Sequence, residues 1–90
     1  MLTLWSVYIL ECADGSFYTG VTTDIDRRII EHNNNTGRGA RYTRGRGPVK
    51  LSYIEPQESQ SCACKREAQI KRLKRKQKKQ LIARQANEPA

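Results

Sequence analysis

The chain is short of histidine, cysteine, aromatic residues and long apolar runs, and each shortage narrows what it can be. Its one histidine, His32, and its three cysteines, Cys12, Cys62 and Cys64, do not supply four zinc ligands at ordinary spacing, although Cys62 and Cys64 alone resemble half of such a site. An odd cysteine count argues against a disulfide framework and for small, mostly buried thiols. No apolar stretch is long enough to span a membrane, and the first residues lack the basic region and cleavage site of a signal peptide, so the expected compartment is the cytoplasm. With 90 residues, 37% hydrophobic and 7% aromatic, there is material for one domain and one modest core, since a chain of this size buries roughly 60–65% of its unfolded surface.

What is abundant is positive charge, unevenly spread. Residues 1–36 hold two arginines against five acids, a net of −3, and residues 37–90 hold fifteen Lys/Arg against four acids, a net of +11. That asymmetry points to a polyanionic partner: DNA first, with RNA as a second candidate. The plainer reading is a solvated basic face that aids solubility.

The organising stretch is Val7 to Gly20, VYILECADGSFYTG. Apolar runs flanking Ala13-Asp14-Gly15 signal a β-hairpin, because glycine takes the left-handed backbone such a loop needs. A two-residue loop would put Tyr8 and Tyr18 on opposite faces. A three-residue loop ending in Gly15 sets Cys12 against Ser16, Leu10 against Tyr18 and Tyr8 against Gly20, which brings both phenols to one face. The three-residue loop is adopted, and Gly20, lacking a side chain, then leaves room for a ligand backbone beside Tyr8.

The remaining elements follow from pattern and punctuation. Leu4 to Cys12 reads as a first strand, apolar on both faces and therefore central, and Phe17 to Val21 as a second. Thr23 is the expected cap of a helix running to about Asn33, with Asp26 as a capping-box partner and Ile25, Arg28, Ile29 and His32 on one face. Residues 37–48 (GRGARYTRGRGP) form a loop carrying Arg38, Arg41, Arg44 and Arg46. Val49 to Glu55 alternates as a third strand, with Val49, Leu51 and Tyr53 on one face and Pro56 ending it. Ser59 or Ser61 caps a second helix with Ala63, Ile70 and Leu73 buried and Glu67 on the same stripe. Nothing between Leu73 and Leu81 breaks a helix, so one long helix and two abutting ones both remain open. The domain is expected over residues 1–84, with 85–90 a frayed tail; there is no internal repeat. The order β-β-α-β-α-α gives an α+β fold, a three-stranded antiparallel sheet flanked by helices.

Tyr8, Tyr18, Arg28, His32 and Glu67 are the residues that this arrangement gathers on one face of the sheet. Together they supply what phosphodiester hydrolysis requires: a base for water, a cation for the developing phosphorane charge and a carboxylate for a divalent metal. A lone carboxylate suits Mg²⁺, which keeps several waters. Each residue also has a structural reading. Strand tyrosines pack amphipathically, Arg28 pairs with Asp24, Glu67 pairs with Lys71, and His32 caps its helix end.

The ordered set Val7-Tyr8-Ile9, Tyr18-Thr19-Gly20, Asp24-x-x-x-Arg28 and Glu67 resembles the GIY-YIG nuclease superfamily, above all its small stand-alone bacterial members, over roughly residues 4–82. Gly37 to Thr43 and Gly45 to Pro48 resemble a loop of its structure-specific junction nucleases. The resemblance implies metal-dependent cleavage of DNA, with Mg²⁺ or Mn²⁺ as cofactor, on branched or damaged DNA in repair or recombination. By position it implies that one of Tyr8 and Tyr18 is the general base and the other its partner, that Arg28 is the helix arginine, that His32 matches the histidine of restriction-type members, and that Glu67 holds the metal. Arg38, Arg41, Arg44, Arg46, Lys50, Lys71, Arg72, Lys74 and Arg75 are the expected nucleic-acid contacts, and a protein partner is a candidate source of specificity. The chain departs from the pattern at Ser6 or Val7 (for the motif's first glycine), at Val21 (for a lysine of repair-type members), at Lys74 (for a small polar cap) and at Lys78-Lys79 (for an asparagine). The competing function is a non-catalytic nucleic-acid-binding module that uses the basic loop and the C-terminal helices.

Overall fold

A computed structural model describes residues 4–34 and 45–87. Its elements run β1 (Trp5–Glu11), β2 (Phe17–Thr22), α1 (Ile25–Asn33), β3 (Lys50–Gln57), α2 (Gln60–Lys71) and α3 (Arg75–Asn87). The strands form one antiparallel sheet in the order β2-β1-β3, which is the expected α+β architecture.

β1 is central, and its two apolar faces make two cores. Val7 and Ile9 pack with Tyr53, Ala63, Ile70, Leu81 and Ile82, so α2 and α3 cover that face. Tyr8 and Leu10 pack with Cys12, Val49, Tyr18, Ile25 and Ile29, so α1 covers the other. Each fully buried aliphatic here contributes roughly 1.5–3 kcal/mol.

The hairpin takes the three-residue loop. Gly15 sits at φ 85°, the Cys12 N–H donates to the Ser16 carbonyl at 2.8 Å, and the Gly15 N–H donates to the Cys12 carbonyl at 2.9 Å. Leu10 therefore faces Tyr18 and Tyr8 faces Gly20, which sets both phenols on the α1 side.

Four local expectations are corrected, and one alternative left open, at the C-terminal helices, is decided. The α1 cap is Asp24 rather than Thr23: the Asp24 carboxylate accepts from the Arg27 N–H at 3.2 Å, which leaves Asp26 one position short of a capping-box partner. β3 continues through Pro56 because it is an edge strand. Ile54 turns its backbone outward, and Pro56, two residues on, has its missing N–H on that same open side. Val49 and Tyr53 do not share a face. The pairing skips Ser52 between Ile9–Tyr53 and Leu10–Leu51, and this bulge sends Tyr53 into one core and Val49 into the other. The C-terminal segment is two helices. After α2, whose cap is Ser59, the Leu73 N–H reaches back to the Ile70 carbonyl at 3.0 Å, and the Lys74 N–H is taken by the Gln77 side chain at 2.8 Å, which starts α3 afresh. Finally, α3 runs past residue 84 to Asn87 because Gln85 is tied down. Its side chain accepts from the Ile54 N–H at 3.1 Å and donates to the Ile54 carbonyl at 2.6 Å.

Asn33 does the same at Val49, accepting from its N–H at 2.7 Å and donating to its carbonyl at 3.3 Å. Gln85 thus occupies the outward-facing backbone groups of Ile54 on the β3 edge, which would otherwise be open to pairing with another strand, and Asn33 holds the chain at Val49 just before β3 begins.

Candidate functional site

Tyr8 lies at the centre. Its ring crosses the place where Gly20 lacks a side chain, and a Cβ at Gly20 would stand 2.5 Å from Oη. The gap is thus filled by Tyr8 itself, not left for a ligand as expected. Only 1% of Tyr8 is exposed. Its Oη is 3.2 Å from His32 Nε2 and accepts from Arg28 Nε at 3.4 Å. Arg28 can only donate, so Nε2 is the one acceptor for the Tyr8 hydroxyl proton among the described residues. A neutral His32 with its proton on Nδ1 accepts that proton at Nε2, whereas the other tautomer donates from Nε2 to Oη. Burial, and secondarily the Arg28 charge, push the imidazole down to about 4. Burial pushes the Tyr8 phenol up to about 12, against the pull of the Arg28 hydrogen bond.

Tyr18 completes the cluster, its ring 6.2 Å from Tyr8 and 5.1 Å from His32, but unlike them it is partly exposed. α1 delivers Arg28 and His32 four residues apart on its inner face. His32 is fully buried and faces Tyr8 rather than capping the helix end. Arg28 pairs with Glu31 at 3.2 Å, not with Asp24, and Arg27 holds the other Glu31 oxygen at 3.5 Å. Glu31 is the residue that sequence reasoning passed over; its spacing to Arg27 and Arg28 carried the signal.

Glu67 does not share the tyrosines' face of the sheet. It comes from α2, on the opposite layer, and pairs with Lys71 at 3.8 Å, with its side chain 23% exposed. Its carboxylate is still near enough for its charge to add to the rise at Tyr8. Among the described residues no three of His, Cys, Asp and Glu cluster as metal ligands. The donor set is thus one accessible carboxylate, which fits an ion that takes most of its ligands from water and phosphate, such as Mg²⁺.

The expected nucleic-acid contacts are dispersed. Arg38, Arg41 and Arg44 lie outside the described residues. Arg46 pairs with Asp14 at the hairpin tip at 2.9 Å. Lys50 is exposed opposite Glu11. Arg75 donates to the Gly15 carbonyl at 2.7 Å and lies over the Phe17 ring. Lys71, Arg72 and Lys74 are exposed around the end of α2. A cleft of about 310 Å³ lies elsewhere, between β3 and α3, bordered by Glu55, Arg66 and Arg84. Among the described residues no helix is long and apolar enough to cross a membrane.

The chain is similar to known proteins over most of its length. The GIY-YIG catalytic domain matches residues 4–80. The UPF0213 protein VNG_2274C of Halobacterium salinarum is 55% identical over 76 residues, covering 84% of this chain and 96% of that protein. The UPF0213 protein CPE1444 of Clostridium perfringens is 57% identical over 77 residues, covering 86% and 81%. The solution structure of protein EF2693 from E. faecalis superposes with a TM-score of 0.64 at 44% identity, over 97% of this chain and 91% of that one. The chain therefore belongs to the GIY-YIG family, whose catalytic domain it carries over most of its length.

Proposed function

We propose that the protein is a divalent-metal-dependent DNA endonuclease acting on branched or damaged DNA, with its site built in two shells. The observation that carries this is the grouping of Tyr8, Tyr18, Arg28 and His32 around one phenolic oxygen, with the Glu67 charge felt there. Tyr18, Arg28 and Glu67 are partly exposed and form the outer shell that meets phosphate and water. Tyr8 and His32 are buried and form the inner shell.

Tyr18 is the phenol placed to take a proton from the attacking water. Arg28 stays charged and opposes the negative charge that builds on the phosphoryl oxygens. Tyr8 accepts from Arg28 Nε and so helps to fix the guanidinium plane, while His32 in its Nδ1-protonated form holds the Tyr8 proton and with it the direction of the lone pair facing Arg28. Glu67 would hold Mg²⁺ or Mn²⁺, which supplies charge neutralisation at the leaving oxygen when bound.

The test is cleavage of flapped and branched DNA by purified protein with Mg²⁺ or Mn²⁺. Tyr18→Phe and Glu67→Ala are each expected to reduce cleavage by at least about a hundredfold with binding retained, and Tyr8→Phe to reduce it less. Cleavage indifferent to all three changes belongs to a contaminant and removes the proposal. A larger loss in Tyr8→Phe than in Tyr18→Phe reverses the assignment of the base.

A further inference from the structure

Arg28 is the cation assigned to the phosphoryl oxygens above, and so long a side chain wanders unless something holds it. Tyr8 holds it at one nitrogen, its Oη accepting from Nε at 3.4 Å. Glu31 holds it at a second, its Oε1 accepting from Nη1 at 3.2 Å. A planar fork gripped at one nitrogen still turns about that bond. Gripped at two, its plane is set.

Glu31 is itself placed for this. It lies about one turn after Arg28 on α1, and its side chain is 16% exposed against 63% for Arg27. Arg27 Nε stands 3.5 Å from the other carboxylate oxygen, Oε2, so both oxygens are engaged and the group does not turn away from Arg28 without losing a pair. Contacts therefore run without a break through Arg27, Glu31, Arg28, Tyr8 and His32, from an exposed guanidinium to a fully buried imidazole. A pair kept only for the helix gains nothing from turning its carboxylate inward, where it must shed water. A negative charge beside Arg28 also works against phosphate binding. What Glu31 gives the site is thus geometry rather than charge.

We infer that Glu31 is a positioning residue, which acts through Arg28 by setting the plane in which the guanidinium meets the phosphoryl oxygens. Its consequence for turnover rests on the nuclease reading above, but the setting of the plane is measurable without cleavage. Two substitutions separate hydrogen bonding from charge. Glu31→Gln keeps a side-chain oxygen that can accept from Arg28 Nη1 and removes the charge, whereas Glu31→Ala removes both.

The test follows wild type and both variants by two readouts: the NMR signal of the Arg28 Nε–H group, and kcat and KM on flapped DNA with Mg²⁺. The Nε–H signal is expected to be sharp and slow to exchange with water in wild type and Glu31→Gln, and broad or fast to exchange in Glu31→Ala. In Glu31→Ala kcat should fall at least about tenfold with KM not raised, and in Glu31→Gln it should fall less than about threefold, because misplacing a catalytic group costs turnover and the glutamine keeps the placement. An Nε–H signal alike in all three proteins, a Glu31→Ala enzyme with wild-type kcat, equal losses in the two variants, a loss confined to KM, or a Glu31→Ala protein that does not fold, overturns the inference. A wild type that cuts nothing removes the nuclease reading alone. The Nε–H signal then decides: loosened in Glu31→Ala and not in Glu31→Gln, it keeps Glu31 as the residue that sets the Arg28 plane, and any other pattern removes it.

Discussion

His32 is the chain's one imidazole, and the fold keeps it neutral between Tyr8, Tyr18, Arg28 and Glu31. Its folded-state pKa is about 4, below the ordinary 6.5. Between those values the unfolded chain binds a proton that the folded chain does not, so this stability is present above pH 6.5 and is lost as pH falls toward 4. At about 1.4 kcal/mol for each unit of pKa difference, the loss amounts to about 3 kcal/mol. Urea unfolding through that range should show it, and His32→Gln should flatten the pH dependence between 5 and 6.5, where few carboxylates titrate. A variant that keeps the full slope would show that His32 is not the group responsible. At this scale the hairpin was legible from Asp14-Gly15, but the placing of the two tyrosines was only half so, because a two- or a three-residue loop both suit that turn and loop length sets the face. The partner of Arg28 was not. Asp24 and Glu31 both lie at helical spacing from it, and only the cap at the helix start, which consumes Asp24, decides between them.

The elements form where propensity and punctuation place them, and the misread boundaries have one kind of cause. Pro56 does not stop β3, Ser52 bulges, and α2 ends before Leu73 because of partners distant in the sequence or side chains acting locally on the backbone. Periodicity carries no signal for any of these. The end of α3 is the clearest case. Gln85 stands in a polar run that reads as a frayed tail, yet its amide serves Ile54 as a neighbouring strand would. Removing that amide in Gln85→Ala leaves an N–H and a carbonyl of the β3 edge without their partner, which costs about 1–3 kcal/mol if water does not replace it. The expected result is faster hydrogen exchange at Ile54 and fraying of α3 from its C-terminal end, with exchange at Ile9 and Leu10 in the central strand altered only to the extent that global stability falls. Unchanged exchange at Ile54 would show that the helix, and not the amide, protects the edge.

Across the whole molecule, charge and layer go together. Among the described residues, α1 and the hairpin with their flanking turns carry most of the acids, and the layer of α2 and α3 carries most of the cations. That Glu67 belongs to the cationic layer was not legible, since a position on a helical stripe says nothing about which face of the sheet the helix covers. The consequence is a molecule of net charge +8 with a strained surface. Of the five ion pairs among the described residues, Arg28–Glu31 is mostly buried and the other four have at least one side chain about a third or more exposed; exposed pairs contribute about 0–1 kcal/mol each. Against them stands repulsion along a helix that has no acid at all. Salt weakens both, but the repulsion is spread over more and longer distances, and the screening length falls from about 30 Å at 0.01 M to about 10 Å at 0.1 M. Raising sodium chloride over that range should therefore increase the melting temperature; a relief of 1 kcal/mol corresponds to about 4–8 °C for a domain of this size. An Arg72→Gln/Lys76→Gln/Lys79→Gln variant should begin with a higher melting temperature at low salt and gain less from the addition. If salt lowers the melting temperature of both proteins alike, the surface ion pairs outweigh the repulsion.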